Sequence, residues 1–168
     1  TPIIDAVSLD AVEAVRVLIA AGANIEVKSG CGLTPIFFSK SENMVKNFVG
    51  VNANLTERNR SGQNIFFRPV GANNVLVVNA FIAALGPQNA ARLLNHADDN
   101  GNVMLFHAVW YDNASMVKLL IEAGAEIEHR DKENFTPAMR AMQYGKMECL
   151  EILVAHGAAI EQYKKVPG

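Results

Sequence analysis

An apolar triplet spaced i, i+3, i+4 recurs five times along this chain, each time downstream of a helix-start signal. The copies are Val15/Leu18/Ile19, Val45/Phe48/Val49, Ala90/Leu93/Leu94, Val117/Leu120/Ile121 and Leu150/Leu153/Val154. That spacing lines three side chains along one helical face. Recurrence at roughly 33 residues is the mark of a solenoid, whose units bury their apolar faces only against neighbours. Such an array offers an extended surface rather than a central pocket for chemistry. The chain therefore reads first as a binding module.

The unit starts are equally regular. Thr1-Pro2, Thr34-Pro35 and Thr136-Pro137 set a hydroxyl before a proline at the first helical position. The hydroxyl is expected to accept from an orphan N–H, and proline lacks the N–H that would go unpaired there. Asn64 is placed to cap the third unit directly. The fourth begins at Val103-Met104, where valine has no acceptor and Asn102 is expected to take the capping role. Second helices close on Gly22-Ala23, Gly124-Ala125 and Gly157-Ala158, with glycine supplying a left-handed residue. An apolar and acidic extension follows: Asn24-Ile25-Glu26, Glu126-Ile127-Glu128 or Ala159-Ile160-Glu161. Gly-bearing turns, as at 29–32 and 98–101, lead into the next start.

Helix, turn, helix, Gly-Ala, turn and Thr-Pro at this period resemble the ankyrin repeat. The resemblance covers nearly the whole chain and is closest in the first, fourth and fifth units. It implies an all-α fold, an ankyrin-repeat solenoid of helix-turn-helix units with short β-hairpin loops. One array over 1–168 is expected, with repeats at approximately 1–28, 29–58, 59–97, 98–130 and 131–163, as a piece of a longer chain. The family pattern has a histidine two residues after the proline. Ile4, Phe37, Phe67, Phe106 and Met139 stand there instead, so packing is expected to replace the polar link of that histidine.

Two units break the spacing. From helix start to triplet the distance is 14 residues in the first, fourth and fifth units, 11 in the second, and 26 in the third. From triplet to next start it is 19 in the first, second and fourth units and 13 in the third. The spacing predicts a clipped inter-helix turn in the second unit. In the third it predicts about three extra helical turns between the two helices, with most of the hairpin missing. The extra stretch, Val75 to Leu85, is strongly apolar and ends at Gly86-Pro87, which forces a turn. It reads either as a buried extension of the first helix, the plainer account, or as a protruding helix for a partner.

Composition bounds the rest. With 50% hydrophobic and 19% charged residues and a net charge of −2, the chain has material for a folded core. It lacks the basic stripe that nucleic-acid binding needs, the single Lys/Arg pair being Lys164-Lys165. No apolar run approaches the ~20 residues of a membrane span. Cys31 and Cys149 occupy unrelated repeat positions, which argues against a disulfide and for a reducing, intracellular and cytoplasmic setting. Sequons at Asn54, Asn59, Asn113 and Asn134 read as chance triplets in an Asn-rich chain. His96, Asp98, Asp99 and His107 invite a metal reading, but they divide between a polar turn and a helix without ligand spacing. Cys149, beside a triplet, reads as a buried inert thiol. With no P-loop, nucleophile elbow or dinucleotide fingerprint, no enzyme activity, cofactor or metal is expected.

The resemblance also locates a surface, since targets of ankyrin arrays dock on loop tips and on the exposed side of the first helices. Carried over by position, the fourth unit offers Asp99, Asn100, Asn102, Trp110 and Tyr111, and the fifth Lys132, Glu133, Phe135, Gln143 and Tyr144. The third offers Arg60, Ser61 and Gln63, and the second Gly30, Cys31 and Leu33. Trp110, the single tryptophan, either closes a neighbour's core or belongs to a recognition patch; the aromatics at adjacent positions favour the patch. The expected function is a non-enzymatic protein–protein interaction module. It would bind another protein through its concave face and loop tips, without nucleic acid or membrane insertion, as a monomer in isolation. One rival is a regulatory or targeting ankyrin segment of a larger enzyme or channel. Another is a receptor for a small phosphorylated ligand, with Lys28, Arg58 and Arg130 at equivalent positions.

Overall fold

The computed structural model describes residues 1–160; Glu161, the end of the fifth repeat and the Lys164-Lys165 pair fall outside the described residues. Among the described residues the chain is all helical. The helices are α1 (Pro2–Ser8), α2 (Val12–Ala20), α3 (Glu42–Gly50), α4 (Phe67–Gly71), α5 (Val75–Leu85), α6 (Pro87–Leu94), α7 (Met104–Trp110), α8 (Ala114–Glu122), α9 (Pro137–Gln143) and α10 (Met147–Ala155). A 3-10 turn at Pro35–Phe38 serves as the first helix of the second unit. First helices form one layer, in which α1 meets the 3-10 turn, α4 meets α7 and α7 meets α9. Second helices form the other, with α2 on α3, α3 on α5 and α8 on α10. Val15, Phe37, Phe48, Phe66, Phe81, Leu105, Leu120 and Leu153 fill the core between the layers.

The inter-helix turn has one construction in four units. Asp10, Asn73, Asp112 and Gly145 are all left-handed, with φ of 55°, 52°, 58° and 67°. Each lies nine residues after its unit start. Its N–H and the next one reach back to two carbonyls of the ending helix, as Asp112 does to Val109 and Asn113 to Ala108. This pairing satisfies carbonyls that the helix end would leave bare. The second unit, three residues shorter from start to triplet than the first, fourth and fifth, has no such turn, as its spacing predicts; Ser39 and Lys40 alone separate the 3-10 turn from the Ser41 cap of α3.

The third unit corrects the expectation of extra turns between its helices. Asn73 fixes the standard register, so the helix pair is α4 and α5 and its core triplet is Val78/Phe81/Ile82. Ala90/Leu93/Leu94 belongs to α6, an additional helix that follows the pair. Val75–Leu85 is therefore the second helix, with Val77, Val78 and Phe81 buried against α3, α4 and α6. Gly86 at φ 75° and Pro87 at the first position of α6 break the rod between them. The loop after α6 keeps its tip, in which the Asp98 N–H donates to the Asn102 carbonyl as in the other tips, and loses only the apolar and acidic extension.

Capping also departs from the sequence pattern. Thr136 caps α9 by accepting from the Met139 N–H at 3.3 Å. Thr1 and Thr34 make no side-chain cap, and the Thr34 hydroxyl is buried without a partner. Phe37, at the family histidine position, is apolar and cannot supply one. Asn102 does not cap α7 either. Val103 occupies the N-cap position in extended geometry with its side chain in the core, and Asn102 serves the tip instead. Asn64 does not cap α4, whose N-cap is Phe66 without a side-chain cap; it closes the turn before the helix, its Oδ1 accepting from the Phe66 N–H at 3.1 Å while its Nδ2 donates to the Leu93 carbonyl at the end of α6. The loops carry no strand among the described residues; each is a tight turn closed by two backbone hydrogen bonds, as at Asp98, whose N–H donates to the Asn102 carbonyl and whose carbonyl accepts from the Gly101 N–H.

Candidate partner-binding surface

Each tip is built on its opening residue. Asp98 Oδ1 accepts from the Asn100 and Asn102 N–H groups at 2.9 and 3.0 Å, and Asp131 Oδ1 does the same for Glu133 and Phe135. A short carboxylate that folds back on its own backbone fixes such a turn. The second oxygen reaches nine residues on, into the following first helix. Asp98 Oδ2 lies 3.1 Å from His107 Nε2; Asp131 Oδ2 takes Arg140 Nε at 2.7 Å and Nη2 at 2.6 Å. Tip and first helix are thereby locked together in both units.

A groove of about 510 Å³ runs between these tips and the first helices. Phe67 of α4, His107 and Trp110 of α7, and Arg140 of α9 form its sides, together with Tyr111 and Tyr144 just beyond the helix ends. Asn100, Asn102, Lys132 and Glu133 line it from the tips. Phe67 stands edge-on to the His107 ring at 4.9 Å, and Trp110 edge-on to Tyr144 at 5.1 Å. Gly71 lets the Tyr111 ring approach α4, since a Cβ there would sit 3.2 Å from it. Trp110 is 61% exposed, Tyr111 48% and Tyr144 38%, so the aromatics face solvent rather than a neighbour's core. Burial outweighs the nearby Asp98 carboxylate and holds the His107 pKa below the usual imidazole value.

Of the ten residues expected from the fourth and fifth units, seven meet in this groove, Asn100, Asn102, Trp110, Tyr111, Lys132, Glu133 and Tyr144, and Gln63 of the third unit joins them. Three stand outside its lining. Phe135 is half-buried under the Arg140 guanidinium, 4.1 Å from the ring centre; Gln143 Oε1 accepts from Arg140 Nη1 at 2.8 Å; Asp99 packs at the Gly62 tip and offers its carbonyl to the Lys132 ammonium. Leu33 of the second unit is buried, not offered. Sequence reasoning missed Phe67, Phe106, Asp98, Asp131, His107 and Arg140 as groove residues. The signal for the last two was available: an Asp opening a tip, then His or Arg nine residues on, as in Asp98…His107 and Asp131…Arg140.

Elsewhere the chemistry is quiet. The Cys149 thiol is pushed up to about 11, first by burial and then by Asp112, whose Oδ1 lies 3.7 Å from Sγ. Cys31 is exposed and unbridged. Among the described residues no three His, Cys, Asp or Glu side chains are disposed to hold a metal ion, and no helix is long and apolar enough to cross a membrane.

The family profile for ankyrin repeats (three copies) matches residues 36–131 and 82–164. The chain is also similar to segments of much longer proteins. It is 34% identical to glycerophosphocholine phosphodiesterase of Schizosaccharomyces pombe over 94 residues, 55% of this chain and 8% of that protein. It is 35% identical to a transient receptor potential cation channel subfamily A member 1 homolog of Caenorhabditis elegans over 88 residues, 47% of this chain and 7% of the channel. A target of rapamycin complex 2 subunit of Saccharomyces cerevisiae is 30% identical over 70 residues, 42% of this chain and 16% of that subunit. The chain thus spans well under a fifth of the length of these relatives.

Proposed function

The chain belongs to the ankyrin-repeat family, and we propose that it acts as a non-enzymatic protein-interaction module, seating a partner protein in the groove between its first helices and loop tips. One observation carries the reading: Trp110, Tyr111 and Tyr144 stand exposed along a single groove. Large rings held at a surface remove much apolar area from water on contact and have little rotamer entropy to lose. The groove cations do not argue for an anionic partner. Arg140 is engaged by Asp131 and Glu133, and Lys132 by the Asp99 carbonyl. Free thiols at Cys31 and Cys149 fit an intracellular, cytoplasmic setting, and the module is expected to be monomeric in isolation.

The relatives favour a second reading at the level of the whole polypeptide, that this array is a regulatory or targeting segment of a larger enzyme or channel. Both readings place partner binding in the groove. The test is affinity capture with the wild-type chain beside Trp110→Ala and Lys118→Ala, the latter on the exposed side of α8. A protein retained by wild type and Lys118→Ala but lost with Trp110→Ala supports the groove. Equal retention by all three overturns it.

A further inference from the structure

The additional helix α6 brings together side chains that a regular unit would leave apart. Arg92 projects from it, His96 follows its end, and Arg58 comes from the loop before the third tip. With Thr56 and Leu93 they line a hollow of about 290 Å³, separate from the aromatic groove. Arg58 Nη1 is hydrogen-bonded to His96 Nε2. The equivalent cations of other units are satisfied: Lys28 pairs with Glu57 at 2.7 Å, and Arg130 donates to the Asn134 carbonyl at 3.0 Å. Among the described residues neither Arg58 nor Arg92 forms an ion pair with any carboxylate. Burial, then Arg58, then Arg92 depress the His96 pKa, as expected where two positive charges face an imidazole with no anion between them.

We propose that this hollow binds a phosphate-monoester dianion. Two guanidiniums present planar forks of N–H donors that match phosphate oxygens, and charge-assisted bonds of this type are the strong ones. The His96 imidazole, through the hydrogen bond between its Nε2 and Arg58, holds that guanidinium at the hollow. The Thr56 hydroxyl already donates to Asn54 Oδ1 at 2.8 Å, so recognition falls to Arg58 and Arg92, with His96 positioning Arg58. Buried Leu93 closes the base. At this volume the hollow is near the lower end of ligand sites, about 300 Å³, which suits a phosphoryl group on a small carrier.

The same dianion is carried by a soluble phosphate ester and by a monoester lipid headgroup, and two arms separate them. In the first, inorganic phosphate is titrated into the chain by calorimetry at constant ionic strength, with acetate as control. Saturable binding at one site is expected. Arg58→Gln and Arg92→Gln should each weaken it about tenfold or more, the scale of one charge-assisted hydrogen bond. Lys118→Gln and Trp110→Ala should leave it unchanged. Both arginines are exposed, so the variants are expected to keep the wild-type melting temperature. In the second arm, co-sedimentation with phosphatidylcholine vesicles containing phosphatidic acid, lost in the same two variants, assigns the lipid source. Phosphate binding without vesicle binding assigns the soluble one. No saturable phosphate binding, or an equal loss in Lys118→Gln, overturns the site while leaving the groove reading untouched.

Discussion

Trp110 and Tyr144 meet edge-to-face across the boundary between the fourth and fifth units, ring centres 5.1 Å apart and planes at 76°. The pair is a small exposed aromatic step held by two first helices. If it seats a partner, Trp110→Ala should weaken binding by about 2 kcal/mol or more, the hot-spot scale. Unfolding should change by about 1 kcal/mol or less, because a ring so exposed contributes little packing. Urea unfolding and partner affinity measured on the same variant decide it. A stability loss of about 3–5 kcal/mol would place the ring in the core instead.

The two Thr-Pro starts at residues 34 and 136 should respond oppositely to loss of the hydroxyl. Thr136→Val removes the cap on the Met139 N–H and should cost about 1 kcal/mol. Thr34→Val removes a buried hydroxyl that has no partner, and should be neutral or stabilising by up to about 1 kcal/mol. Equal losses in thermal melts of the two variants would refute the distinction.

Asn64 ties the start of the third unit to the end of α6. Threonine could cap the turn but could not reach the Leu93 carbonyl, so Asn64→Thr should cost about 1–3 kcal/mol, the scale of a buried acceptor left bare. The seam beside it is thin. Near the C-terminal end of α6, the fourth unit is reached through Asn95, which donates to the Gly124 carbonyl and accepts from the Glu126 N–H, and through Ala91 beside Gly124. Native-state hydrogen exchange should therefore show α6 opening before α8 and α10, and earlier still in Asn64→Thr. Uniform protection would count against it.

Folding lowers the His107 pKa from its ordinary 6.5, burial being the main cause. Between the folded value and 6.5 the unfolded chain binds the extra proton, so stability is full above about 6.5 and falls as the pH drops below it. His96 shifts in the same direction. His107→Gln keeps a donor for Asp98 but cannot take up a proton, and should flatten part of this dependence. Urea midpoints for both proteins at about pH 7.5 and 5.5 test it. An identical pH slope in the two would sink the assignment.

Most of the solenoid was legible because its signals are local. A glycine closing a helix, a proline opening one and an i, i+3, i+4 face act within a turn or two of chain; the first and fourth units follow the face and the glycine, whereas α10 of the fifth buries Cys149 and Leu153 and leaves Val154 exposed. The third unit misled because α5 and α6 both carry a triplet at helical spacing, Val78/Phe81/Ile82 and Ala90/Leu93/Leu94. Hydrophobic period alone cannot say which belongs to the repeat. The left-handed residue nine after each start could have, since Asp, Asn or Gly recurs there in four units.

The sequence by itself determined the repeat, the helix-pair unit, the shortened second turn and eight of the groove's residues, because each depends on which side chains share a helix face or a turn. Tertiary structure decided the rest. It set α6 after the helix pair rather than within it, left the Thr34 hydroxyl without a partner, joined Asp131 to Arg140 and drew Arg58 to His96 across 38 positions of chain. Those outcomes turn on which units stack and how closely. That is a competition among buried surfaces and paired charges distant in sequence, and no local pattern of residues records its result.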